Sequence, residues 1–193
     1  MAIKIGEIIE AATGGFTAQC YELHQPPPFG ALVRVSEGDI VICAAVADAA
    51  TTSIEPGRRP IARGGGEEAE DDVFSANPQL EKLLRTDFRA VVVGHKDGGG
   101  IRQYLPPRPA RIHSFVYNCE PGETAEFTRS LDYLSILINV AERADELVAA
   151  SLRGAAVVHA EPRAFLVSAG KELAALLSDD THRLNAILRR IRI

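Results

Sequence analysis

The sequence has no apolar stretch that could cross a membrane, few cysteines and no complete catalytic motif. No apolar run reaches the roughly 18–20 residues that a bilayer-spanning helix needs. The chain enters an alternating strand pattern at its first residues, without the layout of a signal peptide. Its three cysteines are an odd number without any CxxC pair, which does not suit a disulfide framework. We therefore expect a soluble, cytoplasmic protein with no membrane partner.

The composition is that of an ordinary globular protein, but the charge is unevenly distributed. Hydrophobic residues make up 46% of the 193 residues and charged residues 24%, which excludes general disorder. The net charge of −5 argues weakly against wholesale coating of a nucleic acid. Between residues 67 and 72 lie five acids, whereas the last eleven residues contain no acid and four arginines: Arg183, Arg189, Arg190 and Arg192.

The first half of the chain has the period-2 pattern of β-strands. Apolar and polar residues alternate in short stretches separated by glycine- and proline-rich turns, as half-buried strands require. The sequence Asp97-Gly98-Gly99-Gly100 is typical of a hairpin turn. Short strands at this spacing indicate a barrel or a sandwich. The stretches predicted as strands are residues 3–9, 16–23, 29–35, 40–46, 88–96, 101–105 and 112–117.

Residues 51–86 interrupt this pattern. The prolines, glycines and acidic run of residues 51–76 predict a long exposed loop. A short helix is predicted to follow, with Asn77 as its N-cap and Pro78 in its first helical position. This helix should end near Arg85, just before the next strand.

From Thr124 the apolar period changes to about 3.6, the period of helices. Four amphipathic helices are predicted, over residues 124–141, 145–159, 162–177 and from about 180 onward. Helices of this length would bury their apolar stripes against each other, the barrel or a partner. The predicted fold is therefore α+β, with a small N-terminal antiparallel β-barrel over residues 1–120 and a C-terminal α-helical region over residues 121–193.

The sequence contains fragments of chemical motifs but none that is complete. Gly170-Lys171 resembles the end of a phosphate-binding loop, but Phe165 and Glu172 stand where that loop needs Gly and Ser or Thr. The five histidines are scattered and form no zinc cluster, and the acidic run lacks a calcium-loop pattern. We expect no cofactor, no metal and no enzymatic activity. A hydrolase site assembled from dispersed residues remains the enzymatic alternative.

Arginines are the candidate binding residues. Their guanidinium groups suit phosphate and carboxylate partners equally, and the alternative is a role in solubility and loop salt bridges. If the barrel brought the loop arginines together, they would form an anion- or partner-binding site. The candidates are Arg58, Arg59 and Arg63 in the long loop, Arg102, Arg108 and Arg111 around the proline-rich link, and Arg189 and Arg190 near the C-terminus.

The predicted barrel resembles a known family, the HAS barrel of HerA-type DNA translocases and of the catalytic-head subunits of rotary ATP synthases. The resemblance covers about residues 1–120. Its opening lies in Gly6-Glu7-Ile8-Ile9-Glu10, Phe29-Gly30-Ala31-Leu32-Val33 and Gly38-Asp39-Ile40-Val41. Its later part runs from Asn77-Pro78-Gln79-Leu80 through Val91-Val92-Val93-Gly94 to Leu105-Pro106-Pro107 and Ile112-His113.

In that family the barrel precedes an ATPase core and helps to arrange subunits in a ring. This sequence has no phosphate-binding loop after the barrel, so ATP-driven translocation and the family's catalytic residues are not carried over. The resemblance implies a non-enzymatic assembly or docking module, bound to itself, to a translocase or to a nuclease. The alternative is a nucleic-acid-binding barrel that uses the loop and C-terminal arginines.

Overall fold

A computed structural model describes residues 3–55, 57–66 and 68–191. It confirms the α+β prediction: a closed six-stranded antiparallel barrel is followed by C-terminal helices. The strands are β1 (Lys4–Ala12), β2 (Gly15–Cys20), β3 (Leu32–Glu37), β4 (Ile40–Ser53), β5 (Leu84–Asp97), β6 (Gly100–Arg102) and β7 (Phe115–Asn118). The helices are α1 (Glu70–Ala76), α2 (Leu80–Leu83), α3 (Pro121–Phe127), α4 (Leu134–Leu137), α5 (Ala144–Ala156), α6 (Pro162–Leu176) and α7 (Thr181–Arg190).

The barrel closes through β5. Its strands follow the order β2–β1–β7–β3–β4–β5, and residues 87–91 of β5 pair back onto β2. The last residues of β5 pair instead with β6, which extends the barrel wall as the predicted hairpin. Closure satisfies the backbone hydrogen bonds that an open sheet would leave exposed at its edges.

The barrel interior is filled by side chains from every strand of the closed ring. Phe16 and Phe88 pack edge to face, with ring centroids 6.5 Å apart. Around them lie residues that are almost entirely shielded from solvent, namely Ile8, Val33, Val35, Ile42, Val92 and Val116. A small barrel packed in this way is a solid core rather than a channel.

Strand β4 is buried on both of its faces. Successive side chains of a strand point to opposite sides, so Ile42 and Val46 enter the barrel interior while Cys43 and Ala45 point outward. The outward residues belong to the same apolar cluster as the helices. This two-sided burial explains why the sequence from Ile40 to Ala47 is apolar almost without interruption.

Helix α5 is the centre of the helical region. It is buried on most of its circumference, including Leu147, Val148 and Leu152, and α6 and α7 pack against it. Asp180 caps α7, because its carboxylate accepts a 2.9 Å hydrogen bond from the Arg183 N–H. The predicted second, third and fourth C-terminal helices are confirmed as α5, α6 and α7.

The first predicted C-terminal helix is divided in two, and the prediction of one helix over 124–141 was wrong. Helix α3 ends at Phe127, and α4 spans only Leu134–Leu137. The Thr128 hydroxyl donates to the Thr124 carbonyl at 2.7 Å, and the Ser130 hydroxyl donates to Asp132 at 2.8 Å. Short polar side chains that bond locally in this way compete with continued helix formation.

The segment 51–86 also differs from the prediction. Strand β4 continues to Ser53 and stays paired with β5, which begins at Leu84. The acidic run contains the start of α1 instead of being a loop. Asn77 ends α1 rather than starting the next helix, since its side-chain NH₂ group donates to the Val73 carbonyl at 3.0 Å. The following helix, α2, is only four residues long.

Four predicted strands are shorter than expected, among them β7, which spans only Phe115–Asn118 where residues 112–117 were predicted. Strand β2 stops at Cys20, and β3 starts at Leu32 because Gly30 turns the chain there with φ of 82°. Strand β6 stops at Arg102, where Gln103 leaves the ladder. Its side-chain amide donates to the Phe127 carbonyl at 2.6 Å, and its oxygen accepts from the Tyr133 N–H at 2.9 Å. These bonds tie the end of the hairpin to the helical region.

Gly30, two residues before β3, lies directly against α5. A Cβ atom added to it would lie 2.6 Å from the backbone and Cβ of Ala150 in α5, well inside van der Waals contact. Its φ is also in the left-handed region. Gly38 shares the positive φ, at 58°, but a Cβ there would meet open space.

We expect Gly30→Ala to destabilise the protein more than Gly38→Ala. The left-handed backbone should cost about 1–2 kcal/mol in both variants. The clash with α5 should add about 1–3 kcal/mol in Gly30→Ala only. Urea unfolding of the two variants beside the parent chain measures the difference. Equal losses would contradict the close packing of α5 on the barrel.

Candidate interaction surface on the barrel

The helices cover one side of the barrel and leave the outer face of β1 and β7 exposed. Because Val116 points into the barrel, its neighbours Phe115 and Tyr117 point outward. Phe115 is 44% exposed, Tyr21 48% and Ile112 55%. We call the surface formed by Tyr21, Ile112, Phe115 and Tyr117 the aromatic face.

Two cations lie over the rings of the aromatic face. The Lys4 ammonium is 4.1 Å from the centroid of the Phe115 ring and 4.7 Å from that of Tyr21. The Arg34 guanidinium is 5.1 Å from the centroid of Tyr117. Arg34 also forms a 2.9 Å ion pair with Glu123 of α3. These contacts hold the aromatic rings beside cations, while Phe115 and Tyr21 remain exposed and Tyr117 is partly buried.

A carboxylate anchors one edge of the aromatic face. The Tyr21 hydroxyl donates to Glu7 at 3.1 Å, and the His113 Nδ1 atom makes a short contact with the same carboxylate. Hydrogen bonds from His113 first, and then from Tyr21, lower the pKa of Glu7 below its ordinary value. Partial burial and the bond to Glu7 raise the pKa of Tyr21, which therefore stays protonated as the donor.

Two depressions flank the exposed rings. The first has a volume of about 400 Å³ and is lined by residues 111–115 with Ser36 and Tyr117. The second, of about 290 Å³, lies between Tyr21 and the proline-rich segment Pro26–28, and includes Ile3. Aromatic side chains bordered by depressions are typical of protein interfaces, where a partner's side chains fill the gaps.

The structure separates the predicted arginines of the loops. Arg111 borders the aromatic face and pairs with Glu37 at 3.0 Å, while Arg102 lies 4.0 Å from Asp97 in the β5–β6 hairpin. Arg108 is exposed and has no ion pair within the described residues.

The other three loop arginines lie beyond the opposite end of β4. Arg58 pairs there with Glu55 at 2.9 Å, and Arg63 donates to Asn77 at 3.4 Å. Arg59 is exposed without an ion pair in the described chain. Since Glu37 precedes β4 and Glu55 follows it, the full length of this strand separates the two arginine groups, and they do not converge into one site.

Two of the C-terminal arginines form ion pairs within the chain. Arg183 bonds to Asp145 and donates to the Ile138 carbonyl at 2.5 Å, and Arg190 pairs with Glu146 at 2.6 Å. Both arginines therefore fasten α7 to the start of α5. Arg189 is exposed and unpaired among the described residues, and Arg192 lies outside them.

Sequence reasoning missed Lys4, Tyr21, Phe115 and Tyr117. The available signal was the alternation in residues 112–117, which predicts that Phe115 and Tyr117 share the face opposite to Val116. That signal does not say which face is covered. The exposure of this side depends on where the helices pack, which is set by contacts far apart in the sequence.

The described residues show no assembled chemical centre. No group of three or more His, Cys, Asp or Glu side chains in this part of the chain is close enough to hold a metal ion. All three cysteines are unpaired, and burial raises the pKa of Cys20 to about 11 and that of Cys43 to about 12. His159 contacts the Thr128 hydroxyl at 2.8 Å, but this hydroxyl already donates to a backbone carbonyl.

No helix in the described part of the chain is both long enough and apolar enough to span a bilayer. The longest, α6, has 15 residues.

The Glu7 cluster predicts a measurable pH dependence. Because the pKa of Glu7 is lower in the folded state, its hydrogen bonds stabilise the protein fully at pH values above the ordinary carboxyl pKa. This stabilisation is lost as the pH falls through the pKa that Glu7 has in the folded state. We expect His113→Asn to raise the pKa of Glu7, and Tyr21→Phe to raise it less. Asn is chosen because it tolerates the positive φ of 70° at this position. Side-chain carboxyl NMR titration measures both values, and an unchanged pKa in His113→Asn would contradict the assignment.

No family model matches the chain, and no curated protein matches it. The candidate surface is therefore defined by its own features: an uncovered barrel side, exposed rings held by cations and a carboxylate, and two adjacent depressions.

Proposed function

We propose that this protein is a non-enzymatic, cytoplasmic assembly or docking module whose aromatic face binds a protein partner. The observation that carries the proposal is the exposure of Tyr21, Ile112 and Phe115 on the barrel side that the helices leave uncovered. Grouped aromatic side chains of this kind contribute large contact areas at interfaces. Their exposure in the isolated chain has a cost that a partner would remove.

The arrangement of the rings favours binding. Lys4 lies over Phe115 and Tyr21, and Glu7 accepts a hydrogen bond from Tyr21, so the rings are already ordered before a partner arrives. Binding therefore requires little additional loss of side-chain entropy. Pre-ordered aromatic residues next to depressions are the usual energetic centres of an interface.

The resemblance to HAS barrels suggests the class of partner. In that family the barrel helps to arrange the subunits of an ATPase. In this chain the position after the barrel is taken by α3 to α7, which pack on the outward residues of β4 and β5. We propose a separate HerA-type translocase, or the nuclease that works with it, as the partner, and a second copy of this chain as the alternative.

The test is binding of the full chain to candidate translocase and nuclease proteins, measured by light scattering and calorimetry. We expect Phe115→Ser to weaken the complex by about tenfold or more, the usual effect of removing a central aromatic residue. Val157→Ser is the matched control, since Val157 is 76% exposed but lies at the end of α5. A chain that stays monomeric and binds neither candidate would contradict the proposal, as would equal losses in both variants.

A second candidate function is the binding of single-stranded nucleic acid. Exposed rings beside Lys4 and Arg34 on a small barrel suit base stacking and phosphate contacts. Against it, the carboxylates of Glu7, Glu37 and Glu123 lie on the same side and pair with its cationic groups.

If nucleic acid is the ligand, fluorescence anisotropy should detect binding of a labelled oligonucleotide that weakens steeply as salt is raised. Replacement of Arg108 and Arg111 by Ala should weaken it for all sequences alike, because phosphate contacts carry no sequence information. Absence of binding at low salt would eliminate this candidate.

A further inference from the structure

The helical region has its own exposed apolar groove, between α6 and α7. The groove has a volume of about 790 Å³, larger than either depression beside the aromatic face. Its walls are formed by Leu166, Val167 and Gly170 of α6 with Leu188 of α7 and Ile191 just beyond it. Arg163 stands at one end.

The groove is a second apolar surface of α6. The first surface, formed by Phe165, Ala169 and Leu173, is buried in the core of the helical region. Val167 faces away from that core and is 52% exposed. A helix that packs on one side only would carry polar residues at this position.

Gly170 sets the depth of the groove. A Cβ atom at this position would lie 3.5 Å from the Leu188 Cδ2 atom, in ordinary van der Waals contact, so a larger side chain there would fill the groove. Leu166 is partly exposed along the wall, whereas Ile191 is buried with an exposed fraction of 5%. The result is an open depression between two helices.

Unpaired positive charge lies on both helices that form the groove. Arg163 lines it, Lys171 lies one turn beyond Val167, and Arg189 follows Leu188. None of these three cations forms an ion pair within the described chain, whereas Arg183 and Arg190 of the same region do. In a chain of net charge −5, this cluster favours a ligand that carries carboxylates.

The dimensions fit a helix. Fifteen residues make α6 about 22 Å long, which matches about four turns of a second helix laid alongside. An amphipathic helix places apolar side chains in such a groove at i, i+3, i+4 and i+7, with its polar residues along the rims.

The described part of this chain offers no such helix to a second copy. Helix α1 follows acidic residues and contains Val73 and Phe74, but it has only seven residues. Its Phe74 ring already packs against His24, with centroids 5.7 Å apart. The occupant is therefore sought in a different protein.

We propose that the α6–α7 groove binds an amphipathic helix of a partner protein, with Asp and Glu flanking its apolar stripe. This site is separate from the aromatic face, and the two proposals fail independently. Val167 and Leu188 would contact the apolar stripe, and Arg163, Lys171 and Arg189 would pair with the flanking carboxylates.

The probe is a fluorescent helical peptide of about 18 residues, with leucine at the stripe positions and glutamate on both flanks. The matched peptide has lysine in place of each glutamate. We expect the full chain to bind the glutamate peptide about tenfold or more tighter than the lysine peptide, because unlike charges attract across the rim and like charges repel. Fluorescence anisotropy measures both affinities.

Substitutions test whether the peptide binds in the α6–α7 groove. Val167→Asp should weaken the glutamate peptide about tenfold or more. The double variant Arg163→Glu and Arg189→Glu should reverse the preference between the two peptides. Phe115→Ser is the control, since it changes the aromatic face and should leave peptide binding unchanged. Thermal unfolding of each variant verifies that the exposed substitutions preserve the fold.

Four results of the peptide experiments would overturn the proposal. These are no binding of the glutamate peptide, equal affinity for both peptides, unchanged affinity in Val167→Asp, and no change of preference in the double variant. A dimer that Val167→Asp dissociates would assign the groove to a second copy. Binding to phosphatidylserine vesicles that Val167→Asp abolishes would assign it to a membrane surface. Each of these also contradicts a partner helix.

Discussion

The burial of β4 on both faces is the constraint on which the rest of the structure depends. Ile42 and Val46 fill the barrel, so Cys43 and Ala45 must be covered from outside, and α5 with its neighbours provides that cover. The helical region is therefore needed to bury the outer face of a strand whose inner face fills the barrel. Gly30 shows how close the packing is, because a single Cβ atom there would collide with Ala150. Once the helices occupy this side, β1 and β7 are left on the exposed side.

The local sequence pattern was sufficient to predict some helices and strands and insufficient to predict others. Alternation predicted the barrel strands, and the helical period predicted α5, α6 and α7, because these signals are repeated over many residues. The break between α3 and α4 was missed because the hydrogen bonds of Thr128 and Ser130 override a continuing apolar period. Asn77 was assigned to the wrong end of a helix, since the same side chain suits either terminus and only its bond to Val73 decides.

The candidate surface was harder to predict than the fold. Tyr21 and Phe115 are 94 positions apart in the sequence and meet only because β1 pairs with both β2 and β7. Arginines were the natural sequence candidates, but charge in a sequence does not reveal its partner. Arg111 and Arg190 turn out to pair with Glu37 and Glu146, which satisfies them within the chain. An ion pair within the chain therefore distinguishes arginines with a structural role from arginines that are available to a ligand.

The layering of the molecule places the two proposed surfaces on different elements. Helix α5 packs on the barrel through Ala150 on one side and receives α6 and α7 on the others. The α6–α7 groove is thus separated from the aromatic face by the barrel wall and by α5. The chemistry of the two surfaces differs: the rings around Phe115 favour a broad contact, whereas the cations around Val167 favour an acidic helix. If both proposals hold, the module would bring two proteins together.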